Sequence, residues 1–207
     1  MGRPVNANSE ETRERLLEAA GELFATQGIG STSVREIAQK AGVNGALVSH
    51  YFGGKEGLYG ECVESMYRQL SALRESLLPN ILSAASLRSA IDMAVIEGFH
   101  LGRKNRNPLR LVMRHILDRG QLPEERFEAV QSPFLSTIPA LLTPHSEQSE
   151  LELRWSVQSL VFLVVRYALS SDEELDRLNG GAGEALQAAE EHLSRMAGEI
   201  LSLTPTT

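Results

Sequence analysis

The chain has 207 residues, enough for one domain or for a small domain joined to a larger one. Hydrophobic residues make up 42% and charged residues 23%, which excludes a disordered chain. The 20 Lys+Arg against 27 Asp+Glu give a net charge of −7, which excludes indiscriminate coating of nucleic acid but not a local DNA-reading patch.

A single cysteine, Cys62, rules out an intramolecular disulfide framework and a cysteine-based metal knuckle. Ala, Leu, Glu, Arg and Ser outnumber Thr, Val and Ile, and only 5% of residues are aromatic, so helix is favoured over strand. The most apolar stretch, residues 160–165, falls far short of the ~20 residues a bilayer span needs, and Arg154 and Arg166 bracket it. No apolar run opens the chain. A soluble cytoplasmic protein with no membrane partner is expected.

In chain order, residues 1–8 read as a flexible arm. A helix should start at Ser9 or Glu10, with Leu16, Ala20, Leu23 and Phe24 on one face and Gly28 as a left-handed cap. Ser33-Val34-Arg35-Glu36 is a capping box: the Ser33 hydroxyl accepts from a first-turn amide and Glu36 reaches back to the Ser33 amide. Ile37 and Ala38 face inward on this short helix. Gly42 suits a positive φ in the turn that follows, and Asn44 suits the N-cap of the next helix, where Val48, Tyr51 and Phe52 pack back. Gly53-Gly54 stops that helix. Two short helices joined by a tight glycine turn make a helix-turn-helix.

A long helix should run from Lys55 to about Leu78 and halt at Pro79. Further helices are predicted near 86–104, 107–119, 123–142 (interrupted near Pro133 and Pro139), 147–170 and 182–203, with a short helical turn at 172–179. No β-hairpin signal is present. The fold class is all-α.

The landmarks of residues 12–59 occur in a fixed order: an Ala/Phe stripe before Gly28, then TSVREIA, the turn AGV, HYF and the closing GGKEGLY. This stretch resembles the TetR-family DNA-binding domain along its whole length, and its NGALVSHYFGGKEGLY wording looks most like the subgroup of CecR-type regulators. The resemblance implies a three-helix DNA-binding domain over 9–55, with the helix-turn-helix motif at 32–51. It also implies a C-terminal helical domain over 56–207 for regulation, effector binding and dimerisation.

A B-DNA major groove is ~12 Å wide and admits one helix braced by a second. Residues 44–51 would be that helix. Asn44 opens it, Gly45, Ala46 and Ser49 form its exposed N-terminal face, and His50 stands at the edge. The Ala46 methyl can meet a thymine methyl, and Ser49 discriminates bases weakly. Arg35, on the bracing helix, has the fork that reads guanine, or it binds a phosphate. Ser33, Tyr51 and Lys55 are the phosphate candidates. The family usually has Tyr where Ser49 stands, so its phosphate contact is lost here or passes to His50 or Tyr51. Plainer roles stay open: Ser33 as a cap alone, Tyr51 as core, His50 as a surface residue, and Arg35 paired with Glu36 or Gln39. Arg3 either enters a minor groove or stays unbound.

The helix at 147–170 is apolar nearly all round, and the last helix repeats Leu186, Ala189, Leu193, Met196, Ile200 and Leu203 at 3–4 spacing. Such a pair suits a four-helix interface with its own copy. The resemblance implies an effector cavity among the helices after the DNA-reading unit. Its candidate linings are Met66, Met93, Phe99, His100, Arg103, Met113, His115, Phe134, Phe162, Arg166 and Tyr167. His100 and Arg103, at i, i+3, could meet an anionic group.

GIGSTS lacks the strand and spacing of a dinucleotide fingerprint, no H-E-x-x-H or G-x-S-x-G occurs, and the five histidines show no ligand spacing. No enzyme, cofactor or metal is expected. The expected function is a homodimeric repressor that binds a pseudo-palindromic operator and is released by an unidentified small molecule. The alternatives are an activator, an effector-independent regulator, or a helical binding or enzymatic domain with a vestigial motif.

Overall fold

The computed structural model describes residues 5–120 and 132–203. In chain order the helices are α1 (Val5–Gln27), α2 (Val34–Ala41), α3 (Ala46–Phe52), α4 (Lys55–Leu82), α5 (Leu87–Lys104) and α6 (Arg106–Arg119). There follow a π-helical turn (Pro133–Thr137), α7 (Ile138–Leu142), a 3₁₀ turn (Thr143–His145), α8 (Glu150–Leu169), α9 (Asp172–Leu178) and α10 (Ala185–Leu201). Among the described residues β-pairing is limited to one isolated bridge, Ser146 with Leu203. The all-α expectation holds.

Helix boundaries differ from the sequence reading in several places, four of which bear on the argument. First, α1 reaches back to Val5, taking in half of the expected arm. Val-Asn-Ala-Asn contains no breaker, and a proline directly before it is compatible with a first helical turn. Second, α4 passes through Pro79 to Leu82. So near the helix end, proline forfeits only one backbone bond and its fixed φ is already helical. The Pro79 carbonyl still accepts from Ser83 N–H at 3.1 Å.

Third, the helix expected over 123–142 is α7 alone within the described residues, preceded by the π turn. Residues 121–131 lie outside the described residues. Pro139 sits in the first turn of α7 and starts it rather than interrupting it. Fourth, α3 starts at Ala46 with Gly45 as N-cap. Asn44 acts one residue earlier, its Oδ1 accepting from Ala46 N–H at 2.9 Å.

The described residues divide into two compact units. One takes those up to Gln69 with the stretch from Asn107, the other those from Leu70 to Arg106 with the stretch from residue 132. In the first, the core is Leu16, Ala20 and Phe24 of α1, Ile37 and Ala38 of α2, Val48 and Phe52 of α3, Leu58, Tyr59 and Tyr67 of α4, and Leu111 and Val112 of α6. The Phe24 and Tyr59 rings meet edge-on with centroids 5.3 Å apart, and the Tyr59 hydroxyl lies 3.3 Å from Nδ1 of the buried His115. Burial pushes the Cys62 thiol up to about 12, so it stays protonated and inert at neutral pH.

In the second unit, α5, α8 and α10 pack through Val95, Phe99, Leu153, Val157, Leu160, Ala189, Leu193 and Ala197. Arginines close the C-terminus of α8. Arg103 and Arg106 both donate to the Ser170 carbonyl (3.2 and 2.8 Å), and Arg106 also donates to that of Ala168 (3.2 Å). Cations are favoured at such an end, where carbonyls lack intrahelical partners.

Candidate nucleic-acid interface

Local sequence sets most of the caps and turns of the helix pair. Ser33 has the β conformation of an N-cap. Its hydroxyl accepts from Glu36 N–H at 3.2 Å, and its own N–H and O–H donate to the Glu36 carboxylate at 2.8 and 2.7 Å. Those donors hold the Glu36 carboxyl below the usual carboxylate range. Gly42, at φ 65°, closes α2, and Arg15 of α1 caps that end by donating to the carbonyls of Ala41 (3.0 Å) and Gly42 (2.9 Å). Gly53, at φ 70°, ends α3.

α3 is seven residues long and buries Val48 and Phe52. Ala46, Ser49 and His50 lie on its exposed side, and Arg35 of α2 is exposed. Among the described residues Arg35 forms no ion pair, and the carboxylate of its neighbour Glu36 is already engaged by Ser33. Of the two plainer partners for Arg35, Glu36 and Gln39, Glu36 is therefore taken by Ser33.

Other site residues sit differently from the sequence reading. Gly45 does not belong to the outer face: a Cβ there would lie 3.7 Å from Val34 and 3.8 Å from Ala38, so its bare side is turned to the bracing helix. Tyr51 is half-buried with its hydroxyl 3.1 Å from Ser9 Oγ of α1, and its ring stands edge-on to His50 at 4.9 Å. Lys55 turns back, donating to the carbonyls of Ile29 (2.8 Å) and Thr32 (3.0 Å). An ammonium has three N–H groups, so one remains. Ser33 and Asn44 are exposed caps. Arg3 lies outside the described residues.

Sequence reasoning missed three arginine and lysine roles here. Arg15 as the α2 cap and Lys55 as an inner brace look like ordinary surface cations in a helical pattern. Arg13 pairs with Glu61, and its guanidinium lies over the Phe52 ring, 5.3 Å from the centroid. The partners of these three cations stand 23 to 48 positions away along the chain, and only folding brings them together.

The effector-cavity candidates fall in both units. The His100 ring Nε2 lies 2.9 Å from Glu190, Arg103 pairs with Asp172 and Arg166 with Glu174, so these side chains meet the protein's own carboxylates rather than an open anion site. The Tyr167 hydroxyl lies 3.4 Å from His192 Nε2. Phe99 is core, Phe162 is 46% exposed, and Met93 and Phe134 are half-buried. Met113 and His115 belong to the first unit, and the side chain of Met66 lies outside the described residues. Within the second unit a groove of about 740 Å³ runs beside Ile96, Leu186, Gln187, Glu190 and Ser194, and no candidate lines it. Among the described residues no group of His, Cys, Asp and Glu has the arrangement of a metal site.

Residues 16–62 match the family model described as bacterial regulatory proteins, tetR family. The chain is 35% identical over 105 residues to a probable helix-turn-helix transcriptional regulator, YttP, of Bacillus subtilis, covering 51% of this chain and 50% of that one. It is 33% identical over 104 residues to a helix-turn-helix transcriptional repressor of Mycobacterium tuberculosis, covering 49% and 55%. The chain thus spans about half the length of these curated relatives. A TetR-like transcriptional regulator of Rhodococcus shares the fold over 95% of this chain and 96% of its own, with a TM-score of 0.64 at 22% identity.

Proposed function

We propose that this chain, whose residues 16–62 match the tetR family of bacterial regulatory proteins, is a TetR-family sequence-specific DNA-binding transcriptional regulator, a repressor that binds a pseudo-palindromic operator as a homodimer in the cytoplasm. Residues 9–55 carry the DNA-binding role, and 56–207 carry regulation, effector binding and dimerisation. Two copies of α3 enter successive major grooves about 34 Å apart.

One observation carries this reading. The short helix α3 keeps Ala46, Ser49 and His50 in solvent, Arg35 of α2 is exposed and forms no ion pair among the described residues, and the other side of α3 is held to α1 through Tyr51 and to α2 through Gly45. Ala46 and Ser49 meet base edges, and Arg35 reads guanine with its fork. Ser33, Asn44, His50, Tyr51 and Lys55 flank that edge and fix register on the phosphates, Lys55 through its remaining N–H. Gly45 lets α3 sit close to its brace. The repressor reading is supported by the name of the mycobacterial relative. A small molecule that prefers a conformation with the wrong spacing between the two α3 helices lowers DNA affinity by its differential affinity for the two states. Among the described residues no helix is long and apolar enough to cross a membrane.

The test is selection of bound duplexes from a random-sequence pool, followed by gel shifts. A palindromic consensus should emerge, and affinity should fall about 10³-fold or more between 50 and 200 mM salt if six or more phosphates are contacted. Arg35→Ala should cost about 1–3 kcal/mol and relax discrimination at one base pair; an equal loss on every sequence assigns Arg35 to phosphate instead. Failure to enrich any duplex would overturn the reading. Transcription of the bound genes should rise when the regulator is deleted, whereas a fall would make it an activator.

A further inference from the structure

α1 ends without a basic residue in its last turn, although its final carbonyls face the turn that leads to α2. The cation comes from elsewhere in the same unit. Gly28, at φ 81°, closes α1 with its N–H on the Phe24 carbonyl at 3.0 Å. A Cβ placed there would lie 2.2 Å from Nη1 and 3.3 Å from Cζ of Arg114, so the guanidinium of α6 rests directly on the bare glycine. Among the described residues no carboxylate pairs with Arg114.

The turn beneath it is gripped at two further points. The buried Thr32 hydroxyl donates to the Gly28 carbonyl at 2.8 Å, and Lys55 holds the carbonyls of Ile29 and Thr32. The next residue is Ser33, the N-cap of α2, and Arg35 follows two positions later. Where the turn at 28–32 goes, the start of the bracing helix must follow. The guanidinium is always charged and planar, which suits it both to lie flat on a Cα and to face a helix C-terminus.

The geometry points to Arg114 as a positioning residue for DNA binding, which holds the turn at 28–32 and through it the N-terminus of α2. The recognition unit of this chain therefore includes α6, beyond the 16–62 segment that carries the family match. This inference rests on the DNA-binding reading above for its consequence, but not for the clamp itself.

The experiment compares full-length wild type, Arg114→Ala, Arg114→Lys, Gly28→Ala and the double variant Arg114→Ala/Gly28→Ala. Two readouts are used: amide hydrogen exchange without DNA, and Kd for the duplex that wild type enriches from a random pool. Arg114→Ala should speed exchange at residues 28–33 while leaving the amides of α8 and α10 unchanged, and should weaken DNA binding roughly three- to tenfold, the size of a cation's contribution at a helix C-terminus. Arg114→Lys should restore most of both. Gly28→Ala should cost less in the Arg114→Ala background, where its methyl no longer meets the guanidinium.

Unchanged exchange at 28–33 overturns the clamp, and so does faster exchange spread evenly over α1 and α4, which would make Arg114 an ordinary packing residue. Unchanged Kd with faster local exchange overturns its role in DNA binding. If wild type enriches no duplex, the DNA-binding reading fails and exchange alone decides the clamp.

Discussion

Gly57 has no room for a methyl. A Cβ there would stand 1.9 Å from the Phe52 carbonyl oxygen and 3.1 Å from its carbon, because α4 starts against the end of α3. Gly57→Ala should therefore displace α3 and lower stability by about 1–3 kcal/mol, read as a drop in Tm. Gly60→Ala, one turn on and with nothing within 4 Å, should raise stability by about 0.5–1 kcal/mol as an exposed helical glycine replaced. The same scale governs the response to acid. The carboxyls of Glu36, Glu152, Asp172 and Glu174 are all lowered, by Ser33, by Ser149, by Arg106 with Arg103, and by Arg166 with Ser170 respectively. A carboxyl whose folded value lies below its unfolded one adds stability above the unfolded pKa, and that stability fades as pH falls through the folded value. The urea midpoint should thus hold from pH 7 to about 5 and decline most below about pH 4.3, where unfolded glutamate is half-protonated while the folded carboxyls are still largely ionised. Glu36→Gln should flatten part of that decline, since its amide oxygen still accepts from Ser33 but no longer titrates.

At the scale of elements, α8 has two apolar sides. Leu153, Val157, Leu160 and Ala168 bury against α5 and α10, whereas Leu151 is 65% exposed and Trp155 74%. Scattered exposed apolar residues are ordinary, but two large ones a turn apart on a helix that opens with its own capping box at Ser149 and Glu152 form a stripe. Under the homodimer reading that stripe is where the second copy lies. Trp155→Glu should leave helix content unchanged and convert the species seen by sedimentation to monomer. A variant that sediments like wild type would place the interface elsewhere. The prolines show the element scale from the other side. Pro79 ends nothing and Pro139 begins a helix, because position within the helix, and not residue type alone, decides what proline costs.

For the molecule as a whole, the unit that holds the helix-turn-helix draws on residues beyond its own segment. Leu111 is fully buried there, and Leu109, Val112 and His115 are buried beside it, all from α6. A fragment ending at Gln69 should accordingly melt well below the full chain and less cooperatively, since losing several buried apolar side chains costs about 2–5 kcal/mol each. Adding α6 back as a peptide should recover part of the transition.

What the residues determined alone is local. Ser33 with Glu36, Gly42, and Gly53 fixed the caps and turns of the helix pair from hydrogen bonds and φ preferences that act within a few positions, so this part of the site was legible in the sequence. The succession of long amphipathic helices set the all-α class for the same reason. Tertiary structure decided the rest. It turned Gly45 to Val34, tied Tyr51 to Ser9, bent Lys55 back onto Ile29 and Thr32, and spent His100, Arg103 and Arg166 on the protein's own carboxylates. Long cationic and aromatic side chains take whatever partner the packing brings within about 3 Å, and a partner tens of residues away leaves no periodic trace along the chain.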